Sequence, residues 1–354
     1  MSPGNRGAKP RSSFGAAGKH YDDTRHAIGN ARDARQQTVA EKVNIPPVAP
    51  GDVRIVILGG VEEIGRNMAA IEIGNDIIIV DCGFMFKDED TPGVDYILPN
   101  TQYLEERKDR IRGIFITHGH LDHIGGLPYI LPLLGNPPVY ARNLTALLIQ
   151  KRQDEFPDVA PINMKIVETE DRVSFTDTAV RFFKVTHTIP DSMGVIIETP
   201  YGSIVYTGDL KLDHDNGIPH DDEVQKWGDI GKDNNLLFIA DSTNAEKDGF
   251  SIPERKVHET LEEIVKTVKG RLIIGTFASQ FERMIKIIQI AERMGKKIVL
   301  EGRSIKTNLE IAQKTGLLLG RDPAVTHLAV RALDEAVLVD AGEGRQRVDQ
   351  ADVR

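Results

Sequence analysis

The chain has 354 residues, of which 40% are hydrophobic and 27% are charged, and its formal net charge at pH 7 is −9. This composition is that of a globular protein that can hold two domains, and no apolar stretch is long enough to cross a membrane. The single cysteine excludes an internal disulfide framework and fits a reducing cytoplasm. The negative charge is not typical of a general nucleic-acid binder, although bound cations or a narrow channel can be locally positive in an acidic protein.

Residues 1–50 are rich in Gly, Ser, Arg and Lys and lack apolar periodicity, so we expect a disordered basic tail. They also lack the hydrophobic segment of a signal peptide. The basic residues of this tail could contact a nucleic acid, or the tail could simply aid solubility.

From residue 53 to residue 209, short apolar strands alternate with turns, and one helix is predicted at 144–155. Gly59, Gly60 and Gly65 lack the G-x-G-x-x-G spacing of a dinucleotide loop. A tight turn between strands is therefore the better interpretation of these glycines.

Four of the predicted strands are followed directly by a potential metal ligand. The strands lie at 76–80, 111–117, 180–186 and 203–208, and the residues that follow them are Asp81, His118, His187 and Asp209. Strand ends are where a sheet presents a site, although any one of these residues could be a strand-end cap or a turn former.

The densest cluster of potential ligands is His118-Gly-His120-Leu-Asp122-His123. His118 and His120 share one side of an extended backbone, because side chains two residues apart point the same way. Asp122 and His123 lie beyond the turn and can reach a neighbouring ion, and the glycine pair at 125–126 permits close backbone approach. Imidazole and carboxylate ligands suit zinc, so the cluster predicts a two-metal site rather than a solvated loop or core histidines.

After Asp209 the pattern changes to alternating strands and helices, which predicts a parallel α/β unit. Strands are predicted at 236–240, 271–275 and 297–300, and helices at 254–268 and 280–294. Gly302-Arg303-Ser304 opens a last helix, whose N-terminus would suit a phosphate. Ordinary capping of that helix by Ser304 is the alternative.

Asp81, the 118–123 cluster, His187 and Asp209 resemble, in order, the four motifs of the metallo-β-lactamase superfamily. Further segments look like ribonuclease J of the bacterial β-CASP nucleases, namely 58–67, 92–100, 186–192 and 276–279. The resemblance runs from about residue 53 to about residue 316. It implies an α/β fold in which a metallo-β-lactamase αββα sandwich precedes the first part of a β-CASP parallel α/β domain.

The resemblance divides the chain into a tail at 1–50, an incomplete metallo-β-lactamase domain at 51–240, a partial β-CASP domain at 241–320 and an atypical tail at 321–354. In the family, later segments of the chain supply two further histidines and complete the metallo-β-lactamase sheet. Here only His258 and His327 follow Asp241, and neither lies in a matching motif. We expect a truncated or frame-shifted end, or a natural short variant, with a weakly held second ion, low stability and little activity.

The resemblance also implies two zinc ions per chain. The first would be held by His118, His120 and His187, and the second by Asp122 and His123, with Asp209 bridging the pair. The implied catalytic carboxylates are Asp81, Asp122, Asp209 and Asp241. Asp81 would orient a ligand or the bridging hydroxide, and Asp241 would orient a catalytic histidine. Candidate RNA contacts are Phe277, Ser279, Arg303 and Ser304.

The implied function is a cytoplasmic zinc-dependent ribonuclease that cuts single-stranded RNA, as a 5′-to-3′ exonuclease and an endonuclease, in RNA maturation and decay. The full-length family implies a homo-oligomer and no membrane. One alternative is a small-molecule hydrolase similar to glyoxalase II or a lactonase, against which the Asp241 motif and the α/β unit argue. Another alternative is an inactive RNA-binding fragment.

Overall fold

The computed structural model describes residues 45–86 and 92–318, together with the backbone of 336–340. The chain divides into two units, Met1–Pro47 and Val48–Arg354. In the first unit only residues 45–47 are described, and they form neither helix nor strand. Most of the predicted tail at 1–50 and most of the predicted tail at 321–354 therefore lie outside the described residues. Every element below belongs to the second unit.

The first sheet of the sandwich combines antiparallel and parallel strands. Its strands are β1 (Arg54–Gly59), β2 (Met68–Ile73), β3 (Asp76–Val80), β6 (Ile111–Phe115), β7 (Val139–Ala141) and β8 (Met164–Ile166), in the order β1-β2-β3-β6-β7-β8. Pairing is antiparallel through β3 and parallel from β3 to β8. β2 and β3 are buried along their whole length, as expected of strands that are covered on both faces. A short hairpin, β4 (Met85–Phe86) and β5 (Tyr96–Ile97), lies outside the sheet.

The second sheet packs face to face against the first. Its strands are β9 (Arg172–Ser174), β10 (Ala179–Lys184), β11 (Met193–Thr199), β12 (Gly202–Tyr206) and β15 (Asn235–Ile239), in the order β15-β12-β11-β10-β9. Ile78 and Val80 of β3 face this sheet and contact the cluster that includes Val195 and Ile204. Ile77 and Ile79 point the other way, toward helices, because successive strand side chains alternate between the two faces.

Helices cover the outer faces of both sheets. On the first sheet lie α1 (Gln102–Glu105), α2 (Leu121–Ile124), α3 (Leu127–Ile130) and α4 (Asn143–Gln153), with a 3₁₀ turn at Lys108–Arg110. On the second lies α5 (Asp221–Gly231), where Trp227 and Ile230 contact the cluster that includes Phe183 and Val205. A hairpin of β13 (His214–Asp215) and β14 (Ile218–Pro219) precedes α5. These layers confirm the predicted αββα sandwich, and α4 confirms the predicted helix at 144–155 with slightly different ends.

An α/β unit follows the sandwich. It contains β16 (Ile273–Thr276), β17 (Ile298–Glu301), β18 (Ala336–Asp340), α6 (Glu254–Thr267), α7 (Phe281–Arg293) and α8 (Arg303–Lys314). The three strands are parallel in the order β16-β18-β17, so the predicted parallel arrangement is confirmed. Phe281 and Met284 of α7 join one buried cluster with Leu144 and Ile189 of the sandwich.

Two features of this region differ from the sequence-based expectation. The pattern of strands and helices grouped the predicted strand at 236–240 with the α/β unit, although the domain bounds 51–240 include it in the first domain. It appears as β15 in the second sheet of the sandwich, where it pairs in parallel with β12. An apolar run alone does not specify its sheet, because many pairings can bury it. β18 lies within 321–354, where we expected an atypical tail.

No helix in the described ranges has the length and apolarity that a membrane crossing requires.

Candidate metal centre

The four potential ligands at strand ends lie at one edge of the sandwich. Asp81 follows β3 and His118 lies shortly after β6, and the carboxyl ends of these parallel neighbours meet at that edge. His187 and Asp209 follow β10 and β12 of the second sheet and approach from the other side. The sandwich therefore brings residues that are up to 128 positions apart in the sequence to one place.

The first group of potential ligands consists of three imidazoles and one carboxylate. Ligand atoms of His118, His120, His187 and Asp209 all lie within 4.8 Å of one another. The Nδ1 atom of His120 is 3.0 Å from Nε2 of His118 and 3.3 Å from Nε2 of His187. The nearest oxygen of Asp209 is 3.8 Å from His118 and 3.7 Å from His187. One ligand atom from each side chain thus faces a common point.

The second group shares Asp209 with the first. Asp122, His123 and Asp209 place ligand atoms within 4.8 Å of one another. Oδ1 of Asp209 lies 3.3 Å from Nε2 of His123, whereas its Oδ2 faces the first group. The predicted turn after His120 is in fact the short helix α2, which turns Asp122 and His123 toward this second group. The arrangement can hold two cations with one carboxylate between them.

Asp81 lies behind the second group and belongs to neither one. It is fully buried and accepts hydrogen bonds from the backbone N–H of Thr117 at 2.8 Å and from Nδ1–H of His123 at 2.8 Å. Because Nδ1 of His123 is engaged in this way, its Nε2 is the atom that faces Asp122 and Asp209. Carboxylates commonly orient metal-binding histidines in this manner.

The electrostatics of the site separate the two groups. Burial, reinforced by neighbouring imidazoles, holds the pKa of His118 well below its ordinary value, and burial lowers the pKa of His187 to about 4. Burial also lowers the pKa of His120. In the second group burial would lower the pKa of His123, but the carboxylates of Asp81 and Asp209 outweigh it and raise that pKa well above its ordinary value. The three imidazoles of the first group are therefore kept neutral, which is the form in which imidazole binds a cation.

Glycines allow the backbone to approach the site closely. A Cβ atom on Gly83 would lie 1.5 Å from the carbonyl oxygen of Asp122, and one on Gly126 would lie 2.7 Å from the carbonyl oxygen of Gly83. The predicted close approach at 125–126 is confirmed. Gly83 was missed, although it follows the strand end that carries Asp81.

Asn67 is the second residue that the sequence analysis did not single out. Its Nδ2 lies 3.3 Å from Oδ2 of Asp122 and 3.1 Å from Nε2 of His123. It lies in the segment 58–67, which carried part of the family resemblance, so that segment was the available signal. Its position lets it hold the Asp122 carboxylate in place.

Asp241 lies beside the site, next to the loop that carries Asp209. Its carboxylate accepts hydrogen bonds from the backbone N–H groups of Leu210 at 3.3 Å and Thr243 at 2.8 Å. Its own N–H donates to the hydroxyl of Thr207 at 3.2 Å. Asp241 belongs to neither ligand group, and in this structure it fixes the backbone that follows β12.

The four candidate RNA contacts occupy different places. The carbonyl oxygen of Ser279 lies 3.1 Å from Nε2 of His120, and Phe277 is exposed two residues earlier. Arg303 and Ser304 are exposed on the first turn of α8. The alternative that Ser304 caps this helix is wrong, because the N-cap residue is Gly302 and no side chain caps the helix. Gly302 has a φ of +102°, a conformation that favours glycine at this turn.

Comparison with protein families gives two successive matches. Residues 61–260 match the metallo-β-lactamase superfamily, and residues 269–346 match the β-CASP domain of ribonuclease J. The first match contains both ligand groups. The second contains Phe277, Ser279, the start of α8 and β18.

Curated relatives are named ribonuclease J. The protein from Mycoplasma genitalium is 40% identical over 277 residues, which cover 76% of this chain and 48% of that protein. Ribonuclease J 2 from Staphylococcus aureus is 36% identical over 265 residues, which cover 75% of this chain and 47% of that protein. The chain thus spans about half the length of the curated relatives it matches.

A solved structure shows the same fold at low sequence identity. It is a protein of unknown function from Enterococcus faecalis, with a TM-score of 0.59 and 16% identity, and the match covers 82% of this chain and 77% of that one. At this identity the likeness shows the fold alone.

Proposed function

We infer that this chain, which belongs to the metallo-β-lactamase superfamily, is a metal-dependent ribonuclease of the ribonuclease J type. We propose that it hydrolyses phosphodiester bonds in single-stranded RNA. The observation that carries this proposal is the pair of ligand groups that share Asp209. The β-CASP match at residues 269–346 and the names of the relatives support RNA as the substrate.

The donor set fits zinc. Imidazole nitrogens and carboxylate oxygens whose atoms lie within 4.8 Å of one another are the ligands that zinc takes in hydrolytic sites. We propose that His118, His120 and His187 hold one ion and that Asp122 and His123 hold the other. Asp209 would contribute one oxygen to each ion.

The chemistry follows from this donor set. Two bound zinc ions would lower the pKa of a shared water and stabilise the attacking and leaving oxygens of a phosphodiester. The side chains around them keep the ligands in place: Asp81 accepts the Nδ1–H of His123, and Asn67 contacts Asp122. Asp241 fixes the backbone beside Asp209.

The RNA would extend from the two ligand groups along the α/β unit. Phe277 is 51% exposed near Ser279, where an aromatic ring could stack on a base. Arg303 and Ser304 at the start of α8 could contact a phosphate. The chain has a net charge of −9, but the bound cations would make the site locally positive where the scissile phosphate lies. We further propose a cytoplasmic enzyme, in keeping with its single, buried cysteine, and we retain the family's homo-oligomer as a prediction.

The test compares two substrate classes. Zinc-loaded protein is incubated with 5′-monophosphorylated single-stranded RNA and, separately, with S-lactoylglutathione, and the Asp209→Asn variant is the control. We expect salt-sensitive RNA binding and slow RNA cleavage that the variant loses, because phosphate contacts release counterions and Asp209 serves both ions. Thioester hydrolysis without RNA binding would replace this proposal by the glyoxalase-like alternative, and RNA binding without cleavage would replace it by the RNA-binding alternative.

A further inference from the structure

His120 is contacted on both of its ring nitrogens. Its Nδ1 faces the first ligand group, 3.0 Å from Nε2 of His118. Its Nε2 faces away from that group and lies 3.1 Å from the carbonyl oxygen of Ser279. The hydroxyl of Thr188 also lies 3.1 Å from this Nε2. Ser279 is 159 positions away in the sequence, in the segment that matches the β-CASP domain.

The Ser279 carbonyl decides which tautomer His120 adopts. A neutral imidazole carries one N–H, and a carbonyl oxygen can only accept a hydrogen bond. The proton must therefore be on Nε2, which leaves the lone pair of Nδ1 directed at the ligand group. The Thr188 hydroxyl cannot make this choice alone, because a hydroxyl can donate or accept.

The loop that carries Ser279 is held on three sides. On one side, Asn308 of α8 donates its Nδ2–H to the carbonyl of Ala278 at 2.8 Å. On another, Ala278 and Phe281 are buried in the cluster that includes Ile189 of the sandwich. On the third, the backbone N–H of Glu282 donates to the carbonyl of Thr188 at 3.3 Å, beside His187. The loop thus contacts the backbone next to one potential ligand and the ring of another.

We propose that residues 276–282, which we call the β-CASP clamp, are a positioning element of the metal centre. Through the Ser279 carbonyl the clamp fixes the tautomer and direction of His120, and through Glu282 it holds the loop of His187. The metal affinity of the first ligand group therefore depends on the position of the clamp, and metal binding in turn stabilises that position. Ser279 is assigned here to positioning, in place of the RNA contact that the sequence analysis expected. This inference rests on the metal binding that is proposed above.

The first experiment moves the clamp without touching a ligand. Asn308→Asp replaces the donor to Ala278 by an acceptor of nearly the same shape, so the two oxygens repel and the clamp shifts. The matched control is Lys306→Gln on the same helix, whose side chain is exposed and paired with Glu301 at 3.3 Å. Cobalt(II) is used as the probe, because its visible absorption reports the ligands of the ion.

We expect Asn308→Asp to bind the first cobalt(II) equivalent at least tenfold more weakly, with an altered visible spectrum, since mutation of groups that orient metal ligands typically costs 10–100-fold in affinity. The Lys306→Gln control should match the wild type in both measurements. Wild-type affinity and spectrum in a folded Asn308→Asp protein would overturn the proposal.

A second measurement needs no substitution. Coupling is reciprocal, so binding of zinc must stabilise the clamp as much as the clamp favours zinc. Hydrogen exchange is followed for the unaltered chain with zinc and after its removal by a chelator. We expect exchange in 276–282 to be faster without zinc, most of all at the Glu282 amide, while the amides at the centre of α5 remain unchanged. Equal exchange in the clamp in both states would overturn the coupling.

Outcomes for the two proposals are separable. A wild-type chain that binds neither cobalt(II) nor zinc contradicts the metal-dependent function. A wild-type chain that binds them, with an affinity that Asn308→Asp leaves unchanged, contradicts only the clamp.

Discussion

Asp81 accepts the Nδ1–H of His123 across 2.8 Å, and both side chains are almost fully shielded from solvent. The backbone of Asp81 has a φ of +60°, so the carboxylate is presented from a conformation that few residues other than glycine, asparagine and aspartate adopt readily. Burial raises the pKa of Asp81, and the pair with His123 opposes that effect. At the end of β3, Asp81 therefore orients the ring of His123 and does not itself belong to a ligand group.

The first prediction is that Asp81→Asn weakens the second ligand group. Asparagine tolerates the positive φ but lacks the negative charge that pairs with the His123 imidazole. We therefore expect about tenfold weaker binding of the second zinc ion and little change for the first. The matched control is Asp76→Asn, at the opposite end of β3 and equally buried, whose carboxylate bonds Arg112 and Thr178. It should lower the free energy of unfolding and leave both zinc affinities unchanged. Chelator competition measures both affinities, and an unchanged second affinity in Asp81→Asn would contradict the prediction.

The second prediction concerns metal content. His120→Ala together with Asp122→Ala removes one ligand from each group, so we expect most of the zinc to be lost on dialysis, with reduced stability because metal binding energy is also folding energy. The matched control is His220→Ala with Asp215→Ala, a partly exposed pair 3.3 Å apart outside both groups. Metal analysis of the dialysed proteins decides between the outcomes, and stoichiometric zinc in the first double variant would refute the ligand assignment.

The third prediction contrasts two glycines. Gly83→Ala places a methyl group 1.5 Å from the carbonyl oxygen of Asp122, so the backbone of α2 must move. We expect a loss of at least 2 kcal/mol in the free energy of unfolding, of the size that overpacking causes, together with weaker metal binding. Gly228→Ala in α5 meets no atom within 4 Å and should stabilise the protein by about 0.5–1 kcal/mol. Urea unfolding tests both substitutions, and equal stabilities would show that the close approach at Gly83 is relaxed in solution.

The fourth prediction is a pH dependence of stability from Glu254. Burial raises the pKa of this carboxyl, but two hydrogen bonds from Arg283, at 2.9 and 3.0 Å, and the ammonium of Lys211 outweigh burial and lower it. His258 also faces it at 3.5 Å. Because the folded pKa lies below the unfolded one, these contacts stabilise the fold above the unfolded value and lose their effect as the pH falls through the folded value.

We therefore expect Glu254→Gln to lower the free energy of unfolding by about 1–2 kcal/mol at pH 7, with a difference that shrinks below about pH 4. The control is Glu259→Gln on the same helix, because Glu259 is exposed and pairs with Arg255 on the surface. It should change stability by less than about 1 kcal/mol at every pH. A difference between Glu254→Gln and wild type that is constant with pH would contradict the sign argued here.

The sequence carried much of the fold and most of the candidate site, for reasons that are local. β-branched runs such as Asp76–Val80 specify buried strands, and the residues that follow them must lie at the sheet edge. Spacing alone placed His118 and His120 on one side of the chain. The strand-end position of Asp209 predicted only that it lies at the site. That one carboxylate serves both ligand groups was implied by the family resemblance, not by the spacing.

What the sequence could not supply was contact between distant atoms. The Ser279 carbonyl is a backbone atom, so no residue type marks its bond to His120. Asn67 contacts Asp122 only because β2 pairs with β3 and the chain folds back over the cluster. The sheet to which β15 belongs depends on competing pairings of similar apolar runs, which tertiary packing alone resolves.

The last prediction concerns β15 at the edge of the second sheet. Within the described part of the chain its only strand neighbour is β12, and Leu236 and Phe238 are 50% and 55% exposed on this strand. An apolar strand with unpaired backbone groups is a template for pairing with another chain. We expect the protein to self-associate as its concentration rises, and Leu236→Lys with Phe238→Lys to suppress this, because edge lysines oppose strand pairing. Val224→Lys on α5, at an equally exposed apolar position outside the strand, is the control for added charge. Sedimentation velocity over a hundredfold range of concentration measures the association. If Val224→Lys suppresses self-association as strongly as the β15 double variant does, then net charge, and not the edge of β15, governs the association.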